Sequence, residues 1–494
     1  MYECPNCAAN LRFSIEHQNM FCEACGTVMS PYDVSKDADA EQRQEFEVTV
    51  FSCPQCGAQI VSEDNEAAAF CSFCGGSTIL DSRIEHEKRP RYILPFKRSK
   101  KDCVSSFRSM AKRSIFSPGE VRDYKNIESF RGIYMPYWMY YAEKHGPIQY
   151  DVRKTISKYR GDYEYIDHYN YYTEADTGYG GVVFDASSSF SDNLSQAISP
   201  FDTNQLAEFT PSYLSGFYAD TSDVDAEVYD SEAVELTTRD LFNKLNKDPA
   251  MKSYSTTFDK AKAAVQTSIT NRTLIMLPVW FMSLRHKMQG AEDRVAYVAI
   301  NGQTGEACAD LPISLKKYYI GAGIFSAVFF IALMFFPALI TPTMSTIISM
   351  IFVTISAGIF SSQSSQIRKW ETGEADKGLM SAVARLTGRQ SAAGTDAEGN
   401  TQGGKKSKKK PKQKAEWFGF TRHPFIVSLI ITGAIMLIKP VSDLWYYGAS
   451  LVMMVLVFFI LTKLMKRYNA LTTRPLPQFK RTGGDDSAKQ AIRD

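Results

Sequence analysis

Eight of the ten cysteines fall in two blocks: Cys4, Cys7, Cys22 and Cys25, then Cys53, Cys56, Cys71 and Cys74. Each block reads C-x2-C-x14-C-x2-C. Four thiolates at this spacing make two short knuckles whose sulfurs converge on one tetrahedral Zn(II), with no open position left for water. The chemistry expected of them is structural, two zinc ions in two β ribbons. A segment of about 30 residues buries too little apolar surface to fold unaided, so metal binding would supply the missing free energy. Disulfides are the competing reading. The opening Met1-Tyr2-Glu3-Cys4 has neither the basic nor the apolar part of a secretory signal, so a reducing compartment is expected. A redox CxxC is the other alternative. Repetition at one spacing, with glycine after Cys25, Cys56 and Cys74, favours ribbons. Cys103 and Cys308 have no partner at ligand spacing and read as ordinary small residues.

Charge bears on what the ribbons touch. Residues 1–90 hold 15 Asp and Glu against 6 Lys and Arg, a balance of −9. Each Zn(II) held by four thiolates adds a further −2, so the metallated region repels a phosphate polyanion. Protein partners are expected and nucleic acid is not.

The 494 residues imply several domains. The fold class expected is multidomain: two β zinc ribbons, an α+β soluble domain with antiparallel hairpins, and a four-helix transmembrane region. The ribbons occupy 1–32 and 49–82 with a linker at 33–48, and the α+β domain covers 89–315. Four apolar runs follow at 318–340, 344–362, 424–439 and 443–463, each compared with the roughly 20 residues a spanning helix needs. The third is short enough to be interfacial. Turns around Thr341-Pro342 and Lys439-Pro440 join them as two hairpins.

Basic residues set the orientation. Lys316 and Lys317 precede the first run. The loop 363–423 carries Lys405, Lys406, Lys408, Lys409, Lys410, Lys412 and Lys414, and Lys463, Lys466 and Arg467 close the last run before the tail 464–494. All three segments, and with them both termini, are expected in the cytoplasm of a multi-pass protein. The stretch 391–414 reads as disordered, with anionic headgroups as a contact for its lysines. Within the spans, ahead of the closing Lys463, the ionisable groups are Lys439 and Asp443, both at a helix end, which favours an anchor over a transport path.

In the soluble middle, Ile148, Tyr150, Val152 and Ile156 alternate up to a turn at Arg160-Gly161-Asp162. Tyr163, Tyr165, Tyr169 and Tyr171 continue the period, so a hairpin is expected. Val295 to Ile300 and Glu306 to Ala309 make a second, with Asn301-Gly302 at positive φ in its turn. Helices are expected at 100–113 and 231–245. Three segments repeat an apolar run broken by proline: Leu94-Pro95-Phe96, Met135-Pro136-Tyr137-Trp138 and Leu277-Pro278-Val279-Trp280. Proline cannot donate to a ladder, so these read as edge strands or bulges and raise an internal duplication. Trp138 and Trp280 read as core, with a ligand groove between them as the sharper alternative.

The segments Ile93-Leu94-Pro95-Phe96, Tyr134-Met135-Pro136-Tyr137-Trp138, Pro211-Ser212-Tyr213-Leu214-Ser215-Gly216-Phe217, Leu277-Pro278-Val279-Trp280 and Val298 to Gly305, in this order before membrane helices, resemble a bacterial family of zinc-ribbon membrane proteins, the YdjG type. The resemblance implies an inner-membrane protein acting in membrane stress or membrane organisation with scaffold proteins, and it brings no catalytic residues. Two ribbons and a lysine-rich loop depart from that pattern.

Enzyme signatures are missing from the sequence. The six histidines form no HExxH, there is no GxSxG, and Gly399-x4-Gly404-Lys405 has Lys406 where a P-loop needs Ser or Thr. Gly178-Tyr179-Gly180-Gly181 reads as a loop before a Val182–Phe184 strand. The function expected is a membrane-anchored zinc-binding adaptor for a cytoplasmic or membrane-scaffold protein, and not an enzyme. A regulator touching nucleic acid or its machinery, and a transporter or membrane enzyme, are the alternatives.

Overall fold

A computed structural model describes residues 2–34, 45–54, 57–62, 71–74, 81–122, 130–154, 158–287, 293–334, 341–371, 377–378, 381, 430–431, 433–435, 437–438 and 440–475. The N-terminal unit is a four-stranded antiparallel sheet of β1 (Tyr2–Glu3), β2 (Asn10–Ser14), β3 (Asn19–Cys22) and β4 (Val28–Met29), closed by the single turn α1 (Pro31–Val34). Next come β5 (Glu45–Ser52), β6 (Gln59–Val61) and β7 (Asp81–Lys88), with β5 pairing both neighbours. Strand β5 thus begins inside the stretch read as a linker.

The centre contains β8 (Tyr92–Ile93), α2 (Lys100–Arg113), β9 (Arg131–Lys154), β10 (Lys158–Arg160), β11 (Tyr163–Tyr165) and β12 (His168–Asp185). After α3 (Asp192–Ala197) and β13 (Ala207–Glu208) the same order recurs. It runs β14 (Tyr218–Ala219), α4 (Asp230–Asn246), β15 (Tyr254–Ser255), α5 (Phe258–Val265), β16 (Ser268–Lys287), β17 (Asp293–Asn301) and β18 (Ala307–Ala309). Helix α2 starts where the sequence places it because Ser99 and Asp102 form a reciprocal capping box.

Strands β9 and β16 pair antiparallel with Met135 opposite Leu277, and an approximate two-fold relation centred there accounts for the repeated prolines. Strand β8 lies parallel to β16 with Ile93 opposite Met276, and β14 lies parallel to β9 with Ala219 opposite Tyr134. The Leu94 N–H donates to Met276 O (2.9 Å), and the Asp220 N–H to Tyr134 O (3.0 Å). The Ala186 N–H donates to Pro136 O, and the Gly302 N–H to Pro278 O, both at 2.8 Å. The domain is therefore two β-α-β-β units, and the duplication raised by the sequence is real in three dimensions.

This register corrects the edge-strand expectation. Pro136 and Pro278 sit in central strands, each at the joint where one lateral partner ends and the next begins, β14 then β12 for Pro136, β8 then β17 for Pro278. The missing N–H falls in that gap, so the ladder loses no bond.

Alternation sends the odd residues Ile133, Met135, Tyr137, Ile275, Leu277, Val279 and Phe281 to one apolar core and the even residues Tyr134, Met276, Trp280 and Met282 to another. The first expected hairpin is present, with Ile148 opposite Thr173 and Arg160 opposite Tyr163; Ile156 lies outside the described residues. The segment Gly178–Gly181 lies within β12, where a register shift falls between Tyr179 and Val182, not in a loop. In the second hairpin the positive φ falls at Gly305 (84°), not at Gly302. Gly302 serves close approach, since a Cβ there would meet the Phe96 ring at 2.6 Å and Pro278 Cβ at 2.8 Å.

The C-terminal part holds α6 (Leu315–Met334), α7 (Pro342–Glu371) and α8 (Asp443–Thr472), followed by β19 (Arg474–Pro475), which pairs with β17. Two helices among the described residues are long and apolar enough to cross a membrane, Pro342–Gln363 and Asp443–Asn469, with mean hydropathies of 1.8 and 2.2. Only 22% of each window is buried, whereas a core helix of that hydropathy would be enclosed. Four spans were expected and two are found among the described residues. Most of 424–439 and the end of 318–340 lie outside them, as does 391–414. Helices α7 and α8 meet through Val353, Ala449 and Met453, with Ser345 bonded to Ser450.

Gly302→Ala is expected to destabilise the domain by about 1–3 kcal/mol through overpacking against Phe96 and Pro278. Thermal unfolding of the detergent-solubilised chain, with and without the substitution, measures it.

Candidate metal centres

Cys4, Cys7, Cys22 and Cys25 come together with all four sulfurs within 4.8 Å of one another, and so do Cys53, Cys71 and Cys74; Cys56 lies outside the described residues. The knuckles share one geometry. The backbone N–H groups of Ala8, Gly26 and Gly57 each donate to the carbonyl of the first cysteine of their pair at 2.8 Å, and that cysteine's N–H returns a bond to Ala9, Thr27 or Ala58. Closing so tight a loop requires positive φ: 58° at Ala8, 74° at Gly26 and 75° at Gly57. The glycine after the second cysteine is therefore a backbone requirement, met at some strain by Ala8.

The sulfurs fit a metal. Cys4 Sγ and Cys25 Sγ are 3.6 Å apart, Cys7 Sγ and Cys22 Sγ 3.4 Å, and Cys53 Sγ and Cys74 Sγ 3.7 Å. A tetrahedron with metal–sulfur bonds of about 2.3 Å has edges of about 3.8 Å. A disulfide would need about 2.05 Å. Both clusters can hold a metal ion, and a four-thiolate set suits a soft or borderline divalent cation. Hydrogen bonding by Thr27, through its hydroxyl at 3.0 Å and its backbone, lowers the Cys25 thiol toward the thiolate a metal needs, while Cys7, despite its backbone bond from Ala9, is pushed up by the Cys25 and Cys22 sulfurs. Burial instead pushes Cys103 up to about 12 and raises Cys308, in keeping with small apolar roles.

The clusters differ in surroundings. Cys53, Cys71, Phe73 and Cys74 are buried and pack on the odd-numbered face of β9 and β16, with the Phe73 and Phe281 rings 5.5 Å apart. Strand β6 also joins the central sheet through Val61 and Ala219. The N-terminal ribbon covers the opposite face, where Leu11, Phe13 and Met20 share a core with Tyr134, Met276 and Trp280. Its receptacle is the segment 211–217. The Phe13 N–H donates to Ser215 O (3.1 Å), Ser215 Oγ to Leu11 O (2.8 Å) and Ser212 Oγ to Pro31 O (2.6 Å). Cys7 and Cys25 stay exposed with most of their knuckles.

Trp138 and Trp280 do not form a groove. Each indole is buried and donates to a backbone carbonyl, Trp138 to Val224 O (2.8 Å) and Trp280 to Arg98 O (2.9 Å), at equivalent points of the two units. A cavity of about 510 Å³ lies elsewhere, between β12, the end of α3 and α4, walled by Val183, Phe184, Phe201 and Leu236 and edged by Glu232 and the Glu235–Arg239 pair. The sequence reading missed Ser212, Ser215 and Thr27. Thr27 was findable, since it follows the positive-φ glycine in the knuckle.

The chain is similar to the uncharacterized protein YdjG of Bacillus subtilis (strain 168), with 26% identity over 341 residues, 67% of this chain and 97% of that protein. No family model matches the chain. No solved structure matches it.

Two outcomes are expected. Ala8→Gly relieves the left-handed strain and raises stability by about 1 kcal/mol in chemical denaturation, with metal content unchanged. Under a chelator, alkylation read by mass spectrometry reaches Cys7 and Cys25 at least about tenfold faster than Cys53, Cys71 and Cys74, because the second cluster needs the sheet core to open.

Proposed function

We propose that the protein is a membrane-anchored, zinc-binding adaptor that presents its N-terminal ribbon to a protein partner at the cytoplasmic face. The observation that carries this reading is the contrast between the clusters. One is enclosed in the sheet core, while the other docks through its strands and leaves most of its knuckles, with Val28, in solvent. In this reading the zinc ions hold the ribbons rigid, and the exposed knuckles supply the surface. The acidic balance of residues 1–90 favours a protein over nucleic acid.

Attachment points support a multi-pass anchor. Helix α6 leaves the domain at once, where Ser314 N–H bonds Phe116 O and Lys317 Nζ bonds Ser117 O. Helix α8 returns to it, Asn469 exchanging two bonds with Ile313 before β19 joins β17. Lys377, soon after α7, also touches the domain through Asp192. Each excursion from the domain and back must then cross a bilayer an even number of times. Helix α7 pairs with α6, and α8 requires a second crossing, for which 424–439 is the apolar candidate. Basic residues beside these attachment points favour the cytoplasm for the domain and both termini.

Glu23→Arg combined with Val28→Glu changes the exposed ribbon surface and leaves every cysteine in place. Crosslinking in native membranes is expected to lose the partner captured by wild type by roughly tenfold, with metal content per chain preserved. Recovery of the same proteins at wild-type yield would sink ribbon-mediated recruitment.

A further inference from the structure

Asp192, at the first position of α3, is buried, and its two carboxylate oxygens have different partners. Oδ1 accepts the Tyr229 hydroxyl at 2.6 Å, and Oδ2 accepts the backbone N–H of Lys377 at 2.9 Å. Lys377 lies 185 residues downstream, in the stretch that follows α7. Its ammonium group forms an ion pair with Glu232 in the first turn of α4. At the next residue the chain comes closer still. A Cβ built on Gly378 would lie 2.8 Å from Tyr229 Oη and 3.4 Å from Val224 Cγ2, so the contact accepts no side chain.

The receiving surface is braced by contacts of its own. The Tyr229 ring stacks on Phe184 with centroids 4.9 Å apart and planes 2° from parallel. The Val224 carbonyl holds the Trp138 indole. A main-chain donor on a buried, oriented carboxylate, a charge pair and a glycine-only approach are three separate elements of peptide recognition.

We propose that Asp192, Tyr229 and Glu232 form a receptor for the Lys377–Gly378 segment, an intrachain latch that holds the stretch following membrane helix α7 against the duplicated domain. The occupant is this chain's own segment, seated by charge complementarity to Glu232 and by the space left at Gly378. Glu232 also edges the cavity walled by Phe184, Phe201 and Leu236, so the latch stands at its rim.

Hydrogen exchange of the full chain in lipid nanodiscs, followed over residues 188–197 and 224–236, tests the latch. Gly378→Val is expected to speed exchange there roughly tenfold and to leave β9 and β16 unchanged. Lys377→Glu should act likewise, and adding Glu232→Lys should restore slow exchange. Unchanged exchange in Gly378→Val would overturn the latch. So would a rise shared equally by β9 and β16, which marks global destabilisation, or a double charge reversal that exchanges as fast as the single change.

Discussion

The antiparallel pairing of β9 with β16 at Met135 and Leu277 is the contact on which the other parts depend. It joins the two β-α-β-β units and fixes which side chains face each way. A slip of one residue would exchange the two faces and send Phe281 and Trp280 to each other's core. The prolines at 136 and 278 help prevent this. Each denies a donor at one position, and only the observed register puts both vacancies at joints between lateral strands.

Because the two faces are both apolar, both need a cover. The cysteine-rich units supply much of it, one per face. The second cluster is continuous with the sheet core through Phe73 and Phe281, so a metal held there would contribute to the folding of the whole domain. The N-terminal ribbon is attached by hydrogen bonds to Ser212 and Ser215, by Gln18 and Tyr32 donating to the Phe96 and Glu208 carbonyls, and by the Phe13 ring against Tyr213 at 5.1 Å. It is a lid with its own fold, and it keeps a free outer surface.

The same sheet organises the apolar helices. Its strand β17, paired with β16 on one side, accepts β18 and β19 on the other, β19 immediately after α8, and the start of α6 is bonded to the segment following α2. Short rigid connections of this kind leave little freedom between domain and helices.

The sequence by itself determined whatever is local. Cysteine spacing specified the two clusters, because a knuckle closes within five residues and its geometry is set by its own backbone. Ser99 with Asp102 specified the start of α2, and uninterrupted hydropathy marked α7 and α8. Tertiary structure alone decided where these pieces go. Pro136 and Pro278 looked like edge residues because a sequence shows a missing donor but not the joint between neighbouring strands that makes the loss harmless. Gly302 lies in the expected turn, but what demands glycine there is the close approach of the Phe96 ring and not a positive φ. The burial of one cluster and the exposure of the other could not be read from identical motifs. That difference arises from Phe281 and Ser215, far along the chain, and long-range packing leaves no periodic trace in the segment it covers.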